Sequence, residues 1–273
     1  MNLLTLIPKV RLDETIDLKN LSSVNKIDFN LKKVSSIYIE KGNKNIKLNE
    51  IFDIKIRKIK TPQRKVIIKS SKSVIDNLGY KWQEDHLEIF GDVGSFVGKK
   101  MKSGYISVTG SCKSFLGSQM TGGEISIKGN AGSYVGGPSF GEKLGMNGGK
   151  IFIKGSAGQY LGYMMRRGLI NVEGNTGEFC ANNIIAGTII IKKKIGKNYC
   201  LGMKRGSIIL YKKPKDIHIL YKNSGIHELN FFSILVQNIV GSKTRIYNKM
   251  HIFEKFVNCN SDSFFGEILI VKN

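Results

Sequence analysis

Apolar and polar positions between residues 91 and 210 repeat with a fixed step. Glycines at 91, 110, 129, 155 and 174 are 19, 19, 26 and 19 residues apart. Thirteen residues after each comes a second glycine, at 104, 123, 149, 168 and 187, once seven extra residues in the third unit are set aside. Two apolar positions two apart follow: Ile106/Val108, Ile125/Ile127, Ile151/Ile153, Ile170/Val172 and Ile189/Ile191. That alternation is the strand period. Met101, Met120, Met146 and Met165 precede the second glycine by three, an aromatic (Phe96, Phe115, Tyr134, Tyr160, Phe179) stands five after the first, and a further unit runs through Gly196, Met203, Gly206, Ile208 and Leu210.

A repeat of this length implies stacked coils. Glycines serve where the chain turns without a Cβ or at positive φ, and β-branched residues suit a pleated ladder. Each unit is then one coil of short strands joined at glycine corners. Stacked coils pair as parallel strands about 4.8 Å apart, with the Ile, Met and aromatic columns as the expected core. Since one coil cannot bury its apolar face alone, end coils should be atypical. Gly79, Trp82, Leu87 and Ile89 fit a worn coil in which Asp85 replaces the corner glycine. The expected fold is an all-β parallel solenoid of about seven coils, a rod of roughly 30 Å.

Three regions follow. Residues 1–65 read as a β-rich entry cap over the first open edge, with a basic loop at 55–65 containing Pro62. Residues 66–212 are the glycine-repeat solenoid, starting from a partial coil at 66–68. Residues 213–273 are a C-terminal cap, where Ser224 offers an N-cap to a helix over 227–240 whose Leu229, Phe232, Val236 and Ile239 share a face, and a last strand lies at 267–271. The helix is expected to plug the final coil. The seven extra residues put Pro138 to Gly145 in an extension on one corner, either a contact face or a loop repacked through Phe140 and Leu144.

Composition adds a net charge of +22, which favours an anionic partner or reflects lysines spread over solvated surfaces. No apolar run reaches the ~18 residues of a spanning helix, and residues 1–8 lack the features of a signal peptide, so a cytoplasmic protein without a membrane partner is expected. Cys112, Cys180, Cys200 and Cys259 have no metal-ligand spacing, His86, His218, His227 and His251 lie outside the central coils, and Glu124, Glu142, Glu173 and Glu178 are isolated. No catalytic or metal constellation is expected, and the corner glycines are not a phosphate loop. The chemistry that does stand out is basic. Arg166, Arg167, Lys204 and Arg205 fall just before the second glycine, on the corner flanked lower down by Lys99, Lys100 and Lys102, and form a candidate anion-binding stripe.

The segments GDVGSFVGKKMKSG, GSAGQYLGYMMRRGLINVEGNTGEF and the inserted FGEKLGMNGG resemble the third, γ-type subunit of formylmethanofuran dehydrogenase and its bacterial relative in the formyltransferase/hydrolase complex of methylotrophs. The repeat is also similar to the C-terminal domain of the glutamate synthase large subunit. The resemblance implies a right-handed β-solenoid that acts as a non-catalytic scaffold in a one-carbon enzyme complex, beside hydrolase-like and formyltransferase chains. It implies a formylated furan carrier of the methanofuran or methylofuran type in the complex, with an anionic, glutamate-rich tail that the basic stripe would guide, and metals only in partner subunits. Two other readings stand beside it: a stand-alone module of the glutamate synthase type, and a polyanion-binding solenoid. A nucleic-acid role is disfavoured because no concentrated aromatic and basic platform is present.

Overall fold

The computed structural model describes residues 2–9, 12–26, 29–60, 63–72, 74–230, 232, 252–259 and 265–272. The entry region holds β1 (Asn2–Pro8), β2 (Ile16–Asp17), a 3-10 segment (Lys19–Lys26), α1 (Leu31–Ser35), β3 (Tyr38–Lys41), β4 (Lys44–Lys47), α2 (Leu48–Ile51) and β5 (Phe52–Lys58). Strand alternation does not reveal the short helices; α1 begins where Asn30 Oδ1 accepts the Lys32 N–H at 2.9 Å, a local cap. The basic stretch 55–65 is a connection only in its middle, since its start lies in β5 and Lys65 opens β6 (Lys65–Ser71).

The repeat follows as β7 (Ile75–Asp76), β8 (His86–Gly91), β9 (Tyr105–Val108), β10 (Glu124–Ile127), β11 (Asn147–Ile153), β12 (Arg167–Val172), β13 (Thr188–Ile191) and β14 (Ser207–Leu210). The chain ends in β15 (Tyr221–Glu228), β16 (Ile252–Asn258) and β17 (Glu267–Val271). Among the described residues one sheet has the order β15-β16-β17-β14-β13-β12-β11-β10-β9-β8-β6-β1-β5. Every pair from β1 to β6 and from β6 through β14 to β17 is parallel, and the outer pairs β1/β5, β16/β17 and β15/β16 are antiparallel. Parallel bridges Val93–Cys112–Ala131–Ala157–Thr176 form a second ladder on another side of the coils, the signature of a β-helix.

The register places like residues over like. Leu4, Val66, Leu87, Ile106, Ile125, Ile151, Ile170, Ile189, Ile208 and Ile268 form one continuous inward column, every member fully buried. Each such side chain contributes about 1.5–3 kcal/mol relative to exposure. Trp82 is buried at the start of the Met101–Met120–Met146–Met165 column, and its indole N–H donates to Asp85 O at 2.8 Å. Asp85, where the corner glycine is missing, accepts a bidentate contact from Arg64 at 3.0 and 2.8 Å, which compensates its burial. Gly110 is needed for space: a Cβ there would meet the Gly91 carbonyl at 2.5 Å, so two corners stack backbone on backbone.

The residue after each opening glycine adds a polar ladder to which the hydrophobic period is blind. Asp92 Oδ1 accepts the Ser111 N–H at 2.7 Å, Ser111 Oγ the Asn130 N–H at 3.0 Å, Asn130 Oδ1 the Ser156 N–H at 2.8 Å, Ser156 Oγ the Asn175 N–H at 3.1 Å, and Asn175 Oδ1 the Lys194 N–H at 3.1 Å. Short Asp, Ser and Asn side chains are suited to this, because they reach neighbouring backbone amides.

The aromatic column is not core. Phe96, Phe115, Tyr134, Tyr160 and Phe179 all take left-handed backbone with φ between 57 and 64°, which turns their rings out into a ladder at the surface. Only Phe115 is buried, and successive centroids lie 4.9, 5.1, 4.8 and 4.9 Å apart with nearly parallel planes. Left-handed backbone costs a residue with a Cβ about 1–2 kcal/mol, and ring stacking offsets it by about 0.5–1.5 kcal/mol per pair. Tyr160→Gly is therefore expected to be more stable than Tyr160→Ala by about 1 kcal/mol, the reverse of the order within a strand. Urea titration of both variants checks it; an alanine variant equal to or better than glycine contradicts it.

The C-terminal cap also differs from expectation. His227 and Glu228, the expected start of a helix, lie in β15, and Ser224 is a strand residue beside the bulge between Asn223 and Gly225. Pairing with β16, more than 20 residues downstream, overrides the local helical pattern. Phe232 is helical and buried, while residues 233–240 lie outside the described residues. The plug observed here is β17 stacked on β14 and extended by β16 and β15. Phe232 and Phe253 pack on the outer face of the last rungs, against Leu169, Ile190, Ile209 and Leu269, where earlier coils present Ser107 and Ser126. Glu254 in β16 is held by Lys213 at 2.8 Å and Lys272 at 3.2 Å, and the Lys213 hydrogen bond foremost keeps its carboxyl below the usual range. A depressed carboxylate stabilises the fold above its unfolded value and loses that contribution as pH falls through the folded one. Glu254→Gln should thus lower Tm at pH 7, with the gap narrowing as the pH is taken below 4.5. A gap independent of pH would contradict this.

Candidate functional site

The basic stripe sits on the corner that precedes the second glycine of each coil. Its backbone is positioned by rung-to-rung bonds: Arg166 N–H to Met146 O at 2.8 Å, Ile185 N–H to Met165 O at 2.8 Å and Lys204 N–H to Ile184 O at 2.9 Å. These place Arg166, Ile185 and Lys204 in one column, and Arg167, Ala186 and Arg205 in the next, with Asn147 on the rung below paired to Arg167 across a register shift. The four cations are exposed, and none makes an ion pair with a described residue. They are not on adjacent rungs. Ile185 and Ala186 intervene, so the two basic pairs are separated by two rung spacings, about 9.5 Å. Below them, Lys99 lies over the Phe96 ring at 4.9 Å and Lys100 pairs with Glu142 at 3.1 Å.

That last contact belongs to the inserted loop, which touches both the lower coils and the coil above. Ser139 Oγ donates to Gln119 Oε1 at 3.3 Å, Phe140 meets Phe115 edge-on at 5.1 Å, and the Gly145 N–H bonds Met164 O at 3.0 Å. Phe140 nevertheless stays 85 % exposed, so the loop is anchored by its polar residues while its aromatic tip faces water beside the ring ladder. Sequence reasoning misses this aromatic surface because spacing groups the rings without saying which way they turn.

The exposed cations are equipped for recognition. Arg166 and Arg167 can each clasp a carboxylate or phosphate through two parallel N–H bonds, while exposed charges are screened within about 10 Å at moderate salt. Among the described residues no three His, Cys, Asp or Glu side chains gather as a metal ion requires. Cys112, Cys180 and Cys200 are buried and unpaired, and burial pushes the Cys112 and Cys180 thiols up to about 12, far from thiolate chemistry. Cys180 and Cys200 do lie on neighbouring rungs, the Cys200 N–H donating to Cys180 O at 2.8 Å. Among the described residues no helix is long and apolar enough to cross a membrane.

Over 98% of its length the chain is similar to all of one chain in the crystal structure of the formyltransferase/hydrolase complex (FhcABCD) from Methylorubrum extorquens in complex with methylofuran, with a TM-score of 0.87 and 27% identity. A stretch of 71 residues is 35% identical to the C-type subunit of the tungsten-containing formylmethanofuran dehydrogenase 2 of Methanococcus maripaludis, spanning 26% of this chain and a quarter of that relative. The model of the GXGXG motif matches residues 36–233, the same corners and rungs whose stacking is described above. The chain belongs to the GXGXG-motif family, within which it resembles the γ-type subunit of formylmethanofuran dehydrogenase.

Proposed function

We propose that this chain is a non-catalytic subunit of an enzyme complex that transfers, hydrolyses or oxidises formyl groups on a furan-type carrier, and that its β-helix, taken as right-handed, serves there as a rigid platform for formyltransferase-like and hydrolase-like chains. The observation that carries the reading is the end-to-end likeness to a chain of the formyltransferase/hydrolase complex, including entry region and C-terminal cap. Its own side chains point the same way: among the described residues the buried thiols are held protonated and the exposed cations offer contacts, while the Ser224 hydroxyl, 3.4 Å from His227 Nε2, belongs to an exposed pair on the edge strand β15. Soluble action inside the cell and metals confined to partner chains belong to the same reading.

The purified single chain is expected to show no formyl transfer or formyl hydrolysis with a formylated furan carrier, whereas the assembled complex shows both or the corresponding oxidation. Turnover by the single chain would overturn the scaffold role. Within the complex, Arg166, Arg167, Lys204 and Arg205 are assigned to an anionic carrier tail. Neutralising all four should weaken carrier binding and flatten its salt dependence; unchanged affinity and slope with assembly intact would remove that assignment. The net charge of +22 favours one other reading, a general polyanion binder. A steep salt slope for binding a random oligonucleotide would favour it.

A further inference from the structure

Two series of backbone bonds tie each coil to the next at the corner that follows the opening glycine. In the first, N–H groups of Val93, Cys112, Ala131, Ala157 and Thr176 donate to carbonyls one coil on, the last to Lys194 O at 3.0 Å. In the second, Phe96, Phe115, Tyr134, Tyr160 and Phe179 do the same, the last to Lys197 O at 3.0 Å. The next donors, 19 residues on from Thr176 and Phe179, are Ile195 and Asn198. Their acceptors would be Lys213 and Asp216, but that segment is drawn aside. Lys213 Nζ reaches Glu254 at 2.8 Å, and Asp216 O accepts the Tyr199 hydroxyl at 2.7 Å instead of a backbone N–H. Neither the Ile195 nor the Asn198 N–H makes a hydrogen bond with a described residue.

Between the two segments lies a cavity of about 520 Å³, a volume typical of small-molecule sites, lined by residues 194–199, 212–216 and His218. The corner columns change character at this rung. The polar ladder ends on Lys194, the position of Glu178 is taken by Lys197, and the aromatic ladder is replaced by Asn198, which keeps the left-handed φ of 55°. Lys194, Lys197, Lys212 and Lys215 are exposed, and none makes an ion pair with a described residue. Asp216 is the single carboxylate among the described lining residues, while Ile195, Tyr199 and Pro214 supply an apolar wall. Paired backbone donors ringed by cations beside an apolar wall suit an anionic head on an organic body.

We propose that this cavity binds a small organic oxyanion, a carboxylate or phosphate ester, through the backbone N–H groups of Ile195 and Asn198 with the charge of Lys194, Lys197, Lys212 and Lys215. The proposal is independent of the enzyme-complex reading. The test is a backbone amide NMR titration of the full chain at constant ionic strength with phenyl phosphate, inorganic phosphate and citrate. Ile195 and Asn198 amides should move with saturation, phenyl phosphate should bind more tightly than inorganic phosphate, and the better of citrate and inorganic phosphate identifies the head group. The exposed double variant K197E/K212E should weaken binding by roughly tenfold or more, while K128E/K154E, the same charge change on lower coils, should bind as the parent does. Stationary Ile195 and Asn198 amides with all three probes, or equal weakening by the two double variants, would overturn the proposal.

Discussion

Ile151→Asp is expected to leave no soluble, folded chain. Ile151 is fully buried in the continuous inward column, with Ile125 below and Ile170 above. A carboxylate there would face neighbouring aliphatic side chains with no cation in reach along the column. Such a charge costs several kcal/mol even after the group neutralises itself, against a total stability of about 5–15 kcal/mol for a domain. The effect spreads because coils are stabilised by their neighbours, so a broken middle rung uncouples both ends of the stack. Ile151→Val at the same place should cost only about 0.5–1.5 kcal/mol. Expression, light scattering and circular dichroism of the two variants decide it, and an aspartate variant that melts like the parent would contradict the inward assignment.

The second large effect couples the same residue to a corner. Gly117 has φ +62°, and a Cβ there would come 2.4 Å from Ile151 Cδ1. The packing recurs along the stack, with Gly98 over Ile125 and Gly162 over Ile189, so glycine is required both by backbone sign and by the isoleucine methyl that fills its place. Gly117→Ala should cost about 2–5 kcal/mol, from left-handed strain of about 1–2 and overpacking of about 1–3. Ile151→Val deletes the clashing methyl. In the Gly117→Ala background it should therefore restore about 1 kcal/mol or more rather than remove stability. A double-mutant cycle by urea unfolding measures this coupling; additive costs would mean that backbone strain alone dictates the glycine.

Much of this architecture is legible in the sequence because a solenoid writes its contacts into its spacing. Residues 19 apart meet, so the columns through Ile106, Ile125 and Ile151 can be drawn before any coordinate, as can the last strand at 267–271. Spacing identifies equivalent positions but not whether they face in or out. The period of the five aromatics matches that of the isoleucines and so assigns them to the core, whereas their left-handed backbone turns the rings outward. The expected helix start at His227 and Glu228 misleads for another reason: both residues belong to β15, which is formed by pairing with β16, and nothing within a local window reports a partner that distant. Offset alone finds Arg166, Arg167, Lys204 and Arg205, and the same arithmetic puts Ile185 between them, a separation that matters once rungs become distances. The basic cavity near Lys194 is hidden in what reads as an ordinary lysine-rich corner, because its distinguishing feature is two backbone donors whose partners move away.

The most direct test of the proposed role is capture of the chain from its own cells at native abundance, followed by native mass spectrometry. A stoichiometric assembly with formyltransferase-like and hydrolase-like chains is the predicted result, and a lone monomer recovered under gentle conditions from cells that contain those chains would contradict it.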